Sequence, residues 1–231
     1  MANTNVWDLI NRVISCGNPR TVLLYGKPGT GKSFAAHNAD LAGRQLFSIT
    51  LTPETPAAEL RGHYVPQGSQ FVWQDGPALR AWRFGGRLCL NEIDHAGGDA
   101  LSFLLNCLDS PETACLTLPT GELVRPAQGF QAVGTMNGDP DDLPSALRDR
   151  FPVTIEVDAV HPSALESLPH DLRNAALGSA LADNDRRISI RAWQCFASLR
   201  TSIGAEAAAA AVFAKRSQDV LDSLKMAGVQ A

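Results

Sequence analysis

The sequence predicts an α/β fold, in which helices cover both faces of a parallel sheet, followed by a small all-helical domain. Over the first 158 residues, short apolar runs rich in β-formers alternate with segments of helical pattern. Several runs are almost continuously apolar, which is typical of strands buried on both faces. Beyond about residue 158 the β pattern stops. We therefore expect an α/β core over 1–158 and a helical lid over 159–231.

Five strands are expected in the core, with helical segments between them. The predicted strands are TVLLYG (21–26), QLFSITL (45–51), RLCLN (87–91), FQAVGTM (130–136) and VTIEV (153–157). The predicted core helices are SFAAHNADLAG, PALRAWRF, DALSFLLNCLDS and PSALRDRF, and those of the lid span 162–168, 171–183, 189–202 and 204–228. Two segments, 62–76 and 115–126, place turn residues between short β-like pieces and predict inserted β-hairpins.

Composition narrows the class of protein. The formal net charge is −4, which disfavours nonspecific nucleic-acid binding as the main activity. The net charge does not exclude a local stripe of basic residues. No apolar run approaches the roughly 20 residues of a membrane helix, and the N-terminus lacks the pattern of a signal peptide, so we expect a cytoplasmic protein. Five cysteines without CxxC spacing disfavour a disulfide framework or a zinc site. Cys89 and Cys107 lie in apolar runs and are expected in the core.

The segment 26–33, GKPGTGKS, matches the phosphate-loop pattern G-x-x-x-x-G-K-[ST] between a predicted strand and a predicted helix. Glycines let the backbone wrap phosphates with its N–H groups. Lys32 is expected to reach the β- and γ-phosphates, and Ser33 to offer its hydroxyl to Mg²⁺. The motif predicts ATP binding with magnesium. The expected contacts are Gly26, Lys27, Pro28, Gly29, Thr30, Gly31, Lys32, Ser33 and Phe34.

The strand at 87–91 ends in Asn91 followed by Glu92. In P-loop ATPases this strand end carries two acids, of which the first holds the magnesium shell and the second polarises the attacking water. Glu92 is the expected catalytic acid. Asn91 can accept a hydrogen bond from magnesium-bound water but adds no charge, so we expect weaker magnesium binding. Asp94 either compensates for that charge or is a structural acid such as a helix cap, and we favour the structural interpretation.

Four further polar residues lie at sites that suggest catalysis. Asn137 follows the predicted strand at 130–136 and can orient the same water. Arg148 and Arg150 flank an acid just before the last strand. Arg191 lies in the first turn of a predicted helix capped by Ser189, where the helix dipole disfavours a cation, which suggests a functional role.

In their order along the chain, these motifs resemble the AAA+ ATPases, and within them the MoxR-type branch that includes the CbbQ and NorQ activators. The resemblance spans nearly the whole chain and implies sensor 1 for Asn137 and sensor 2 for Arg191. It implies an arginine finger, acting on a neighbour's γ-phosphate, for Arg148 or Arg150. It also implies a hexameric ring, a partner with a von Willebrand factor A domain, and a remodelling or activating chaperone role. Asn91 departs from the aspartate usual in the family.

Two other functions stay open. One is a nucleic-acid-acting AAA+ ATPase, such as a helicase loader or a restriction-type motor, suggested by the hairpin at 115–126. The other is an ATP-dependent switch with weak hydrolysis, suggested by Asn91. The aromatic residues of the segment 62–76 either grip a client protein or pack on the core.

Overall fold

The computed structural model describes residues 5–180, 182 and 187–229. Contacts divide the chain into two compact units. The first comprises the chain up to Gly26 together with Lys32–Glu156, and the second comprises Lys27–Gly31 together with the chain from Val157 onward. The division falls next to the domain boundary expected at 158. The role of the second unit as a lid stays a proposal.

The first unit is built on a parallel sheet of five strands in the order β2–β5–β8–β1–β9. The nine strands of the chain's described part are β1 (Thr21–Tyr25), β2 (Leu46–Thr50), β3 (Gly62–Gln67), β4 (Gln70–Asp75), β5 (Arg87–Asn91), β6 (Leu116–Thr117), β7 (Leu123–Val124), β8 (Gln131–Thr135) and β9 (Val153–Glu156). All five predicted core strands are confirmed. The three central ones, β1, β5 and β8, are buried along nearly their whole length, which explains their continuous apolar sequences.

Helices flank this sheet and form the second unit. Those of the first unit are α1 (Val6–Ser15), α2 (Lys32–Asn38), α3 (Ala57–Arg61), α4 (Pro77–Phe84), α5 (Gly98–Cys107) and α6 (Ser145–Arg148). Those of the second are α7 (Pro162–Glu166), α8 (Arg173–Ala180), α9 (Ile190–Ile203), α10 (Ala205–Phe213) and α11 (Ser217–Met226). Neither α1 nor α3 is predicted from the sequence. Asn5 caps α1 by accepting from the Trp7 amide, and α1 buries Trp7, Ile10 and Ile14.

Helix α2 is shorter than predicted. It ends at Asn38 instead of residue 43, and the chain then turns through left-handed conformations at Ala42 and Gly43. The carbonyls that follow it are held by Arg87, a fully buried cation at the start of β5. The guanidinium donates to the carbonyl oxygens of Ala39 at 2.7 Å and Asp40 at 2.6 Å. Arg87 thereby ties the helix after the phosphate loop to the centre of the sheet.

Both inserted hairpins are confirmed, one between β3 and β4 and the other between β6 and β7. Arg83 of α4 joins them: its Nε donates to Asp75 at 2.6 Å, and its two terminal nitrogens donate to both Glu122 oxygens at 2.6 and 2.7 Å. In the first hairpin, Tyr64 and Trp73 pack edge to face. Phe71 near the tip is 73% exposed.

The second unit packs around an aromatic cluster of Trp193, Phe196 and Phe213. The prediction of one helix over 204–228 is wrong, since a short 3-10 turn with a left-handed Ala214 separates α10 from α11. In the helix predicted at 171–183, α8 begins at Arg173 after a 3-10 turn. Residues 181 and 183 lie outside the described part of the chain. Among the residues that are described, every helix is too short or too polar to cross a membrane.

Candidate nucleotide-binding site

The loop between β1 and α2 depends on glycine. Gly26, Gly29 and Gly31 have φ angles of 127°, 73° and 112°, a range that side chains with a Cβ rarely adopt. Thr30 Oγ1 donates to the carbonyl of Lys27, three residues earlier in the same loop, at 3.1 Å. The sequence match at 26–33 is therefore accompanied by the backbone geometry that a phosphate loop requires.

Lys32, the first residue of α2, is buried. Its ammonium donates to the Gly26 carbonyl at 2.9 Å and to Asn137 Oδ1 at 3.1 Å. Both of these acceptors are uncharged oxygens. A buried ammonium at the start of this helix favours an anion at the loop.

Glu92 and Asn137 meet at the carboxyl ends of neighbouring strands. Asn137 Nδ2 donates to Glu92 Oε2 at 2.8 Å, while its Oδ1 accepts from Lys32. Glu92 has a φ of +54°, a left-handed conformation that costs energy in a residue with a Cβ and is frequent at functional sites. The structure thus brings together three of the residues singled out in the sequence.

A second set of hydrogen-bonded polar side chains lies beside Ser33. The Ser33 hydroxyl is 3.3 Å from Thr135 Oγ1, which donates to Asn91 Oδ1 at 3.4 Å. Asn91 Nδ2 donates to Ser48 Oγ at 3.1 Å. Neither Thr135 nor Ser48 is predicted from the sequence. The signal for Thr135 is its place at the end of β8, in register with Asn91.

Ser33 and Asn91 suit magnesium by their chemistry, since Mg²⁺ takes oxygen ligands and retains several waters. Asp94 lies within a 3-10 turn that begins after Glu92, and it does not cap a helix. One carboxylate oxygen of Asp94, one of Glu92 and one ring nitrogen of His95 all lie within 4.8 Å of one another. The interpretation of Asp94 as a helix cap is therefore wrong.

The two candidate finger arginines differ in their surroundings. Arg150 is braced by its own unit: its Nε donates to the Leu105 carbonyl at 3.1 Å, and its guanidinium lies 3.6 Å from Asp109. Arg148, the last residue of α6, is more exposed and pairs with the exposed Asp141. These partners of both arginines belong to the first unit.

Arg191 lies in the second unit, exposed in the first turn of α9. Ser189 caps this helix, as predicted, by accepting from the Ala192 amide at 3.2 Å. The segment 27–31 belongs to the same unit. The His161 amide donates to the Thr30 carbonyl at 2.8 Å, and a Cβ on Gly29 would lie 3.6 Å from Ser189 Cβ. Phe34, on α2, is about half exposed.

Comparison with known proteins agrees with this geometry. The model of the AAA domain, dynein-related subfamily, matches residues 21–151. The chain is 34% identical over 154 residues to protein NorQ of Paracoccus denitrificans, covering 64% of this chain and 56% of NorQ. It is 30% identical over 151 residues to the denitrification regulatory protein NirQ of Stutzerimonas stutzeri, covering 60% of this chain and 54% of NirQ. The chain thus spans little more than half of these relatives' length.

The fold is also shared with solved structures. The crystal structure of NtrX from Brucella abortus matches with a TM-score of 0.61 at 18% identity, covering 85% of this chain and 50% of that one. Because the family model matches more than half of the chain, with MoxR-type relatives beside it, the chain belongs to the dynein-related subfamily of AAA domains.

Proposed function

We propose that this chain binds and hydrolyses ATP as a MoxR-type AAA+ ATPase and acts in a ring to remodel or activate a partner protein. The observation that carries the proposal is the contact of Asn137 with both Lys32 and Glu92. One amide thereby connects the cation that binds phosphate to the acid that activates water. Such a connection suits hydrolysis better than nucleotide binding alone.

The roles follow from the chemistry of each group. Lys32 would neutralise charge on the β- and γ-phosphates, and the loop N–H groups would hold their oxygens. Glu92 would accept a hydrogen bond from the attacking water, and Asn137 would orient the Glu92 carboxylate. Ser33 and, through water, Asn91 would hold Mg²⁺, which neutralises phosphate charge when bound. Arg191 would act as sensor 2, as the family resemblance implies.

Ring formation accords with the arginine assignment. Arg148 pairs with Asp141, and Arg150 is held by acids and a carbonyl on and beside α5 and α6. An arginine so placed can serve a neighbouring subunit's nucleotide, as fingers supplied in trans do. A hexamer, a von Willebrand factor A-domain partner and a cytoplasmic setting accompany this proposal, as the family resemblance implies.

ATP turnover per subunit, measured against protein concentration, tests the interfacial mechanism. We expect turnover to rise with concentration in the wild type and to collapse in Arg148→Ala or Arg150→Ala. Mixing each variant with Glu92→Gln subunits then separates a finger from a folding defect, because complementary subunits rebuild some intact sites. Concentration-independent turnover in all three proteins would contradict a shared site.

Asn91 favours a second candidate, a switch that binds ATP and hydrolyses it weakly. The Asn91 amide adds no negative charge beside the proposed magnesium position, and its NH₂ group is occupied by Ser48. Comparison of wild type with Asn91→Asp separates the two candidates. An inactive wild type together with an active Asn91→Asp variant would favour the switch.

A further inference from the structure

A chain of side-chain hydrogen bonds leads from the phosphate loop through Asn91 to strand β2. Ser33 Oγ lies 3.3 Å from Thr135 Oγ1, which donates to Asn91 Oδ1 at 3.4 Å. On its far side, Asn91 Nδ2 donates to Ser48 Oγ at 3.1 Å, and Ser48 Oγ lies 2.9 Å from His37 Nε2. Asn91 is therefore held between Thr135, which contacts the proposed magnesium ligand Ser33, and a hydroxyl group outside the predicted site.

The two ends of the Asn91 amide have different surroundings. The backbone carbonyl of Ile49, which can only accept, lies 3.4 Å from Nδ2. This contact, together with the Ser48 hydroxyl, keeps the NH₂ group on the β2 side. Oδ1 is consequently directed towards Thr135 and Ser33. A rotated amide would set Oδ1 against the Ile49 carbonyl and bring two acceptors together.

An aspartate at this position would need no such orientation. Its two carboxylate oxygens are equivalent, so either rotation presents an acceptor to the metal shell. An asparagine presents an acceptor in one orientation and a donor in the other, and a donor repels a cation. The contact with Ser48 therefore matters for an amide at position 91 and much less for a carboxylate.

His37 does not decide the orientation. If His37 is neutral with a free Nε2, Ser48 donates to it and accepts from Asn91. If Nε2 carries a proton, Ser48 accepts from both residues with its two lone pairs. In either state Ser48 remains an acceptor for Nδ2. Ser48 is accordingly the residue to substitute.

We propose that Ser48 is a positioning residue: its hydroxyl fixes the Asn91 amide so that Oδ1, and not the NH₂ group, faces the magnesium shell beside Ser33. This inference rests on the proposed function, since it concerns the metal bound with the nucleotide. Because Ser48 is exposed on β2, its substitution leaves the buried core intact.

A double-mutant cycle tests the proposal with the wild type, Ser48→Ala, Asn91→Asp and the double variant. Mn²⁺ affinity is measured by electron paramagnetic resonance in the presence of a non-hydrolysable ATP analogue, and analogue affinity without metal is measured separately. We expect Ser48→Ala to weaken Mn²⁺ binding about fivefold in the wild-type background and less than about twofold in the Asn91→Asp background, as for the loss of one neutral hydrogen bond. Metal-free analogue affinity should stay the same in all four proteins.

Two control variants sharpen the result. Thr50→Ala removes a hydroxyl from the same strand and should leave Mn²⁺ affinity unchanged, while Ser48→Thr keeps an acceptor and should preserve it. Equal losses in the two backgrounds, or no loss in either, would overturn the role of Ser48. Failure of the wild type to bind the analogue at all would overturn the proposed function and this inference together, so the two failures are distinguishable.

Discussion

Asn137 donates to Glu92 across 2.8 Å, and the same amide accepts from Lys32 at 3.1 Å. An amide suits this place because it offers a donor to the carboxylate and an acceptor to the ammonium at once. The proposed phosphate-binding cation Lys32 and the proposed catalytic acid Glu92 are therefore linked through one side chain. Substitution of Asn137 should affect hydrolysis more than binding.

We expect Asn137→Ala to lower kcat for ATP hydrolysis by about 10²-fold, because Glu92 loses the group that orients it. The dissociation constant for ATP should change by less than about tenfold, since Lys32 keeps its bond to Gly26. Phosphate release and fluorescent-nucleotide titration measure the two quantities. An unchanged kcat would show that the contact has no catalytic part.

Replacing Lys32 should weaken nucleotide binding strongly. Lys32→Ala deletes the buried ammonium, and loss of a charged hydrogen-bonding group costs about 3 kcal/mol, or roughly a hundredfold in Kd. Lys225→Ala, which removes an exposed lysine from α11, is the matched control and should bind as the wild type does. Calorimetric titration with ATP gives both values. Equal affinities of the two variants would contradict the site.

Arg87→Met should destabilise the first unit without a direct effect on chemistry. Arg87 is fully buried and donates to the buried residues Ala39 and Gln131, so its loss removes a donor from the Ala39 carbonyl and the Gln131 side-chain oxygen. We expect the free energy of unfolding to fall by about 2–4 kcal/mol. Chemical denaturation monitored by circular dichroism measures this change. Stability equal to that of the wild type would mean that water replaces the guanidinium.

Two buried and two exposed cysteines should differ in their reactivity. Burial raises the pKa of both Cys89 and Cys107 to about 12, so these thiols stay protonated at about pH 8 and are shielded as well. Cys16 and Cys195 are exposed. Under native conditions a maleimide should label the exposed pair first, and mass spectrometry of peptides identifies the sites. Rapid labelling of Cys89 would indicate that the sheet opens.

The sequence predicts the sheet well because its strands carry their own signal. The runs at 21–26 and 87–91 are apolar along their length, and both become central buried strands. The phosphate loop, Glu92 and Asn137 are likewise predicted from their positions at strand ends. Parallel strands align these ends at one edge of the sheet, so sequence order is enough to bring the residues together.

Other features depend on contacts that sequence order does not reveal. Helix α1 is not predicted, although Asn5 caps it and its apolar residues repeat at helical spacing. The end of α2 depends on Arg87, which lies 48 residues beyond Ala39. The orientation of the Asn91 amide depends on Ser48, in another strand. A pattern within one segment cannot report such partners.

The central claim is that this chain hydrolyses ATP with Glu92 as the group that activates water. The most direct measurement is the rate of phosphate release by wild type and Glu92→Gln at a protein concentration that saturates assembly, with ATP affinity measured in parallel. We predict that Glu92→Gln keeps ATP affinity within about threefold while its rate falls by about 10²-fold or more. Equal rates in the two proteins, with ATP bound by both, would contradict the account.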